Sequence, residues 1–373
     1  MNHKLKSNKL DLAEINQRIT DRSNIFYWQT DRAITSEEAR LIWQDRHSYF
    51  SDDEIVASVN HILKDDKLIK LKPFDLKSQM NLGNVNSVRK GELSSGKKMI
   101  IRLHPKGVAN GYFYVESLVA ELARENGLPS YQTFAIHDLE NLDDFSFQVI
   151  ESLPGVAVQR WLESHSQDEA KLLYQIGQNM AKIHQIRVSG FGPFNNTQAK
   201  LNNLVGLHDN LMDSVRAGLN FNLKILTQEG LINDTQVKEI KNLFSSSNLL
   251  LKLDQAVLVH NDFADWNLLT DGQVITGILD WDEAVAGDPI MDIACWSTFF
   301  DPDRIEGFLA GYWSVASKPD DFQERFEFFR LRYVISKMTL RLRRLAWDDS
   351  KALKERIEAG SRHLKESLAY FKI

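Results

Sequence analysis

The stretch VLVHNDFADWNLLTDGQVITGILDW, Val257 to Trp281, sets a histidine, several aspartates and two asparagines between apolar runs. Burying such groups costs free energy unless they find partners, and burying charge costs more. VLVH reads as a short buried strand ending at His260. NLL and VITGIL read as the two strands of a β-hairpin, joined by the turn around Asp271-Gly272. Antiparallel strands bring their outer ends together, so Asn267 before the first strand and Asp280 after the second emerge at the same end. Asp262 lies on the loop that feeds Asn267. Three oxygen-bearing side chains thus converge. An oxygen-only, incomplete donor set suits a hard cation whose other positions are filled by water and phosphate oxygens.

Working outward, MNLGNVNSVRKGELSSGKKMIIRLHP predicts a hairpin, and VESLVAELARENGLP an amphipathic helix ending at Gly127 and Pro129. YQTFAIHDLENLDDFSFQVIES adds two strands around an acidic turn. Beyond Leu153-Pro154-Gly155 the chain turns mostly helical, as in EAKLLYQIGQNMAKIHQI and FQERFEFFRLRYVISKMTLRLRRLAW. Residues up to Pro73 read as polar and helical, with capping-box patterns from Thr35 to Glu38 and from Ser51 to Glu54. The expected organisation is a helical extension over 1–73, a β-rich lobe over 74–153 and a helical lobe over 154–373.

His-x-Asp-x-x-x-x-Asn followed by a hairpin and Ile-Leu-Asp-Trp resembles the catalytic segment of the aminoglycoside phosphotransferase family, and SGFGPF at Ser189–Phe194 adds to the likeness, most of all to hygromycin-type members. The likeness spans roughly Asn81 to Phe300. It implies an α+β, two-lobed protein-kinase-like fold, with a β-rich N-lobe, a mostly helical C-lobe and an extra helical N-terminal segment. It further implies that Asp262 accepts or orients the proton of an attacking hydroxyl, and that Asn267 and Asp280 are Mg2+ ligands. His260 is implied as a structural support. Gly83, Asn84 and Ser87 would cover the phosphates, Arg102 would grip them with Glu116 as its helix partner, and the linker from Val149 to Leu153, with Glu151 in it, would take the adenine. The loop holds one glycine where the kinase pattern has three. Arg102 stands where most kinases carry lysine, as in the hygromycin-type subgroup, with Lys98 as the other candidate.

Asp282, Asp288 and Asp292 are read as supports of the site, Asp288 also as a helix cap before Pro289. His184 is expected to hydrogen-bond internally. Trp266 and Trp281 flank the site and are read as core residues, with stacking on a substrate ring as the alternative. Arg330, Lys337, Arg341 and Arg344 form a basic stripe at helical spacing, expected to be a solvated face paired with local acids. Lining the cleft instead, the stripe would argue for an anionic substrate.

The resemblance implies ATP-dependent phosphorylation of a small-molecule hydroxyl, with GTP as the alternative nucleotide. An aminoglycoside-like antibiotic is the acceptor it implies, and the acidic catalytic region would attract such a cationic sugar. A housekeeping metabolite kinase acting on choline, homoserine, methylthioribose or a ketosamine is the alternative, and a catalytically silent nucleotide-binding fold is a third reading. A non-haem iron site on His260 and Asp262 needs a second histidine downstream, where only helical His363 follows. At 373 residues with a net charge of -6, the chain does not fit a protein that wraps nucleic acid. Without an apolar signal segment or a membrane-length apolar run, it is expected in the cytoplasm, bound to neither membrane nor nucleic acid, as a monomer or homodimer. The single cysteine, Cys295, cannot form an internal disulfide.

Overall fold

The computed structural model describes residues 51–64, 66–73, 87–104, 112–138, 144–246, 253–345 and 348–373. Its first half is built on a five-stranded antiparallel sheet: β1 (Leu68–Pro73), β2 (Ser87–Leu93), β3 (Lys98–Leu103), β4 (Thr133–His137) and β5 (Phe147–Glu151), in the order β1-β2-β3-β5-β4. Helix α1 (Asp52–Ile62) opens with the capping box expected from Ser51 and Glu54, each side chain accepting the other's backbone N–H. The helical reading holds there but not for Leu68–Pro73, which forms the edge strand β1. Its alternation of apolar and lysine residues, closed by proline, suits a sheet edge, where charge and a missing N–H discourage further pairing.

The pleat of β3 divides its side chains between two cores. Met99, Ile101 and Leu103 join Ile55 and Val59 of α1 in a cluster with Phe147 and Val149. Ile100 and Arg102 face the other way, toward helix α2 (Tyr112–Glu125), whose Val115, Val119 and Ala123 belong to the larger core. Helix α2 ends as expected before Gly127, at φ +76, where Leu128 N–H closes back on the Ala123 carbonyl at 3.0 Å.

The second half carries two small sheets within helices. One is β6 (Val156–Ala157), β10 (Leu268–Thr270) and β11 (Ile275–Ile278), and the other is β7 (Phe191–Phe194), β8 (Gly206–His208), β9 (Val257–Val259) and β12 (Val285–Gly287). The helices that matter to the site are α3 (Val158–Leu162), α4 (Glu169–Ile183), α9 (Ile290–Trp296), α10 (Pro302–Trp313), α11 (Phe322–Arg344) and α12 (Lys351–Tyr370); the short α5 (Asn196–Ala199) and α6 (Leu211–Arg216), then α7 (Leu219–Gln228) and α8 (Asp234–Ser246), complete the series. Helices α4 and α10 touch backbone to backbone: a Cβ at Gly177 would stand 2.0 Å from the Phe308 carbonyl oxygen, and one at Gly311 1.9 Å from that of Tyr174. Helix α11 runs through the interior, with buried residues on every side from Phe328 to Thr339. No helix among the described residues is long and apolar enough to cross a membrane.

Candidate active site

The hairpin forms where the sequence expects it. Leu268 pairs with Ile278, and the Leu279 N–H reaches the Asn267 carbonyl at 2.8 Å, so Asn267 and Asp280 leave the same end. Asp271 ties the turn by accepting from the N–H groups of Gln273 and Val274 at 2.8 and 2.9 Å. Strand β9 delivers His260, whose Nε2 lies 2.9 Å from the Leu279 carbonyl and clips the end of β9 to the end of the hairpin. The His260 ring is fully buried against Trp281 and Phe263, and burial lowers its pKa, so it is a neutral brace.

Asp292 of α9 anchors the loop. Its carboxylate accepts the backbone N–H groups of His260 and Asn261 at 2.7 and 2.6 Å, and His184 Nε2 lies 3.1 Å away. Asn261 is held in the left-handed region at φ +70, with Tyr333 donating to its side chain and the Cys295 thiol to its carbonyl. Asp280 is likewise left-handed at φ +63. Such positions are costly for a side chain, least so for asparagine and aspartate, and persist where the surroundings enforce them.

Asn267 donates its amide N–H to the carbonyl and carboxylate of Asp262, at 2.9 and 3.2 Å. That choice fixes which way the amide points and turns its oxygen to the other side. Arg102 crosses from the five-stranded sheet to the hairpin: one guanidinium nitrogen pairs with Glu116 of α2, another with Asp280 at 2.9 Å. The expected Arg102–Glu116 pair is therefore present, and it extends to Asp280. Tyr131 also donates to Glu116. Burial alone would lower the Arg102 pKa, but the carboxylates of Glu116 and Asp280 outweigh it and hold the guanidinium charged.

Asp262 titrates high, at about 7. Its removal from water pushes it up and the Asp280 charge adds to this, while Lys337 and the Asn267 hydrogen bond pull it down. Lys337 was expected on a solvated face and is instead 2 % exposed. Its ammonium donates to Thr298 Oγ1 at 2.9 Å and to Cys295 Sγ at 3.3 Å and lies 3.0 Å from the Phe299 ring centre. Burial drops its pKa to about 8. The Cys295 thiol, raised by burial to about 12, is no nucleophile. Arg330 and Arg344 of the same stripe do pair with acids, Glu366 at 2.6 Å and Asp348 at 2.9 Å.

Asp288 accepts from the Ile290 N–H at 2.8 Å at the start of α9 and pairs with Arg325. Asp282 follows Asp280 on a one-turn 3-10 helix, and burial followed by the charge of Asp280 pushes it well above the usual carboxylate range. Trp281 is core, its ring nitrogen donating to Ser130 at 2.9 Å. Glu151 accepts the Gln132 N–H at 3.2 Å at the end of β5, and Leu153 packs against the larger core. Ser87 does not face the site. It pairs with Leu103, so the pleat puts it on the face of the sheet opposite Arg102, fully buried, accepting from Arg89 at 2.9 Å. Gly83 and Asn84 lie outside the described residues.

Sequence reading missed Tyr131, Tyr333 and Asn261, and set Lys337 on a solvated face. Asn261 sat in plain view within the motif. The others come from distant elements and have no local signal. A cavity of about 440 Å³ opens beside the catalytic loop, lined by Asp265 and Trp266 of the loop itself and by Thr298 and Phe299.

The family model described as "Phosphotransferase enzyme family" matches residues 81–328. No curated protein matches the chain significantly. Among solved structures, a thermostable mutant of the aminoglycoside phosphotransferase APH(4)-Ia, in ternary complex with AMP-PNP and hygromycin B, aligns at 19% identity and TM-score 0.59, over 83% of this chain and 98% of that one. A candidate fructosamine-3-kinase from Thermobifida fusca YX-ER1 aligns at 15% identity and TM-score 0.60, over 85% and 100%. The APH(2")-IIa phosphotransferase in complex with gentamicin aligns at 16% identity and TM-score 0.51, over 85% and 97%. At such identities the structural likeness is one of fold, the two-lobed kinase-like fold with its sheet-rich first half and helical second half. With the family model covering most of the chain and the loop, hairpin and Arg102 pair in place, the protein belongs to the phosphotransferase enzyme family and is a kinase acting on an alcohol group.

Proposed function

We propose that the protein transfers the γ-phosphoryl group of ATP to a hydroxyl of a small molecule, with Asp262 as the base and Asn267 and Asp280 as the ligands of Mg2+. The observation that carries this reading is the convergence of Asp262, Asn267 and Asp280 at one end of a hairpin, with Arg102 reaching the same point from the sheet. The donor set fits a magnesium ion. Asn267 turns its amide nitrogen to Asp262, which leaves its oxygen for a cation, and Asp280 gives Arg102 only one of its two carboxylate oxygens. Two protein oxygens with open positions are what Mg2+ accepts when phosphates and water complete its shell. When bound, it supplies charge neutralisation on the phosphate oxygens.

The chain's residues do the rest. Asp262, with a pKa near 7, accepts the acceptor's hydroxyl proton; that oxygen forms the new bond to phosphorus, the bond from phosphorus to the β–γ bridging oxygen breaks, and ADP leaves with those electrons. Arg102 holds Asp280 in register and keeps a fixed positive charge beside the phosphates. Asp292 and His260 keep the loop in its left-handed turn. Positioning of this kind can contribute roughly 7–11 kcal/mol, and it carries much of the rate of in-line transfer because little covalent chemistry is asked of the protein. ATP as the nucleotide is supported by the AMP-PNP and ADP held by the structural relatives.

The test is titration calorimetry of AMP-PNP binding against Mg2+ concentration. Asn267→Ala and Asp280→Ala are expected to raise the Mg2+ requirement markedly, with the folded state retained. Unchanged magnesium dependence in both variants would remove the hairpin from the metal site.

A further inference from the structure

We infer that the acceptor carries an anionic group, a carboxylate or a phosphate, seated between Arg341 and Arg356 on the wall of the cavity beside the catalytic loop; this rests on the phosphotransfer reading above. Charge in that cavity is segregated. On one side stand the acids: Asp265 and Glu169 both pair with Arg304 at 2.9 Å, and the Arg304 guanidinium lies 4.4 Å over the Phe300 ring. The cavity's third acid, Glu163, is exposed. Two of the three carboxylates are therefore already engaged by a cation, a poor surface for a polyamine sugar.

The other wall is made by α11 and α12 and contributes Arg341 and Arg356. Arg341 donates to the Arg356 backbone carbonyl at 2.9 Å, which ties the two arginines to one patch. Gly360 permits this approach: a Cβ there would lie 2.2 Å from Met338 Sδ and 2.9 Å from Arg341 Nη1. Arg341 is half-buried and Arg356 exposed, so Arg341 is expected to contribute the more. One turn before Arg341, the buried Lys337 holds two residues of the cavity lining, donating to Thr298 Oγ1 at 2.9 Å and lying 3.0 Å from the Phe299 ring centre. Thr298, which accepts from Lys337, and Trp266, next to Asn267 in the chain, line the same cavity, so a molecule held by the arginines sits against the catalytic loop. Guanidinium forks match carboxylate and phosphate geometry with paired hydrogen bonds. Of the basic stripe, Arg330 and Arg344 pair with acids, and Arg341 lines the cavity.

The experiment is an ADP-release screen on the full chain with Mg-ATP. One arm holds hydroxy-carboxylates (glycerate, gluconate), a second holds sugar and polyol phosphates (glucose 6-phosphate, glycerol 3-phosphate), a third neutral polyols (glycerol, glucose), and a fourth hygromycin B and gentamicin. Turnover is expected in the first or second arm alone, and which of them responds identifies the anion. Arg341→Ala is expected to raise the acceptor KM roughly tenfold or more, Arg356→Ala by less, and Arg341→Lys to recover part of the loss, with AMP-PNP affinity unaltered. Turnover confined to the third or fourth arm, or an acceptor KM that neither alanine variant moves, overturns the anionic assignment while leaving phosphotransfer standing. If nothing turns over, thermal shift of the Mg-ADP-loaded protein with the same panel decides: no stabilisation by either anionic arm also overturns it. Failure of the wild type to bind Mg-AMP-PNP would instead sink the phosphotransfer reading itself.

Discussion

Asp262 is pulled in opposite directions by its surroundings: removal from water and Asp280 raise its pKa toward 7, and Lys337 restrains the rise. Replacing Lys337 with methionine takes away the restraining cation, so the Asp262 pKa moves up and the acid limb of the kcat/KM profile shifts to higher pH. A pH profile that stays in place would show that Lys337 does not act on Asp262. Lys337 could not be placed from sequence, because position on a helix is read from amphipathicity and α11 is buried on all sides from Phe328 to Thr339. Asp262 itself, by contrast, was legible, since its spacing to Asn267 and the hairpin are local. His260 gives a second residue-scale expectation. Its pKa is lowered in the folded state, so below about 6.5 the unfolded chain takes up a proton that the folded chain refuses, and stability falls as pH drops. Thermal melts of His260→Asn should therefore decline less steeply than wild type between about pH 7 and pH 5. Parallel slopes would mean that His260 takes up its proton in the native state.

Among the elements, the hairpin was readable because Asp271-Gly272 is a strong turn signal and the flanking runs are β-prone. Strand β1 was missed because its partner β2 begins at Ser87, after a long intervening segment, and four alternating positions are a thin signal beside a well-capped helix. The pleat also decided Ser87: one step of register puts it on the α1 face, away from Arg102, and a motif position alone does not carry that parity. The α4–α10 crossing depends on Gly177 and Gly311, whose missing side chains let one helix backbone rest on the other. Gly311→Ala is expected to destabilise the fold by about 1–3 kcal/mol or more, because a carbonyl oxygen of α4 occupies the space a methyl group needs and backbone cannot step aside cheaply. Chemical denaturation measures this directly, and an unchanged midpoint would show that the helices separate without cost.

Across the whole molecule, Arg102 joins the sheet to the catalytic hairpin by charge, since it holds Glu116 of α2 and Asp280 together, beside the Trp281–Ser130 hydrogen bond. Arg102→Ala leaves the Glu116 carboxylate buried without its cation, which is expected to cost about 3–5 kcal/mol and to weaken nucleotide binding. Arg102→Lys should recover part of the stability but little of the binding, because a point charge cannot span two carboxylates as a fork does. Chemical denaturation alongside AMP-PNP titration of both variants checks this, and a lysine variant with wild-type affinity would contradict it. The sheet-rich first half and helical second half were legible in the sequence, whereas the ion pair between residues as distant as Arg102 and Asp280 has no local pattern to announce it. The central claim is that this network positions Asp262 as the base for transfer to a hydroxyl. The most direct measurement compares ADP release by wild type and Asp262→Asn on the same acceptor, with AMP-PNP binding followed in parallel. A loss of roughly 10²–10⁴-fold in kcat with nucleotide affinity preserved is the predicted result, and turnover within a few-fold of wild type would contradict it.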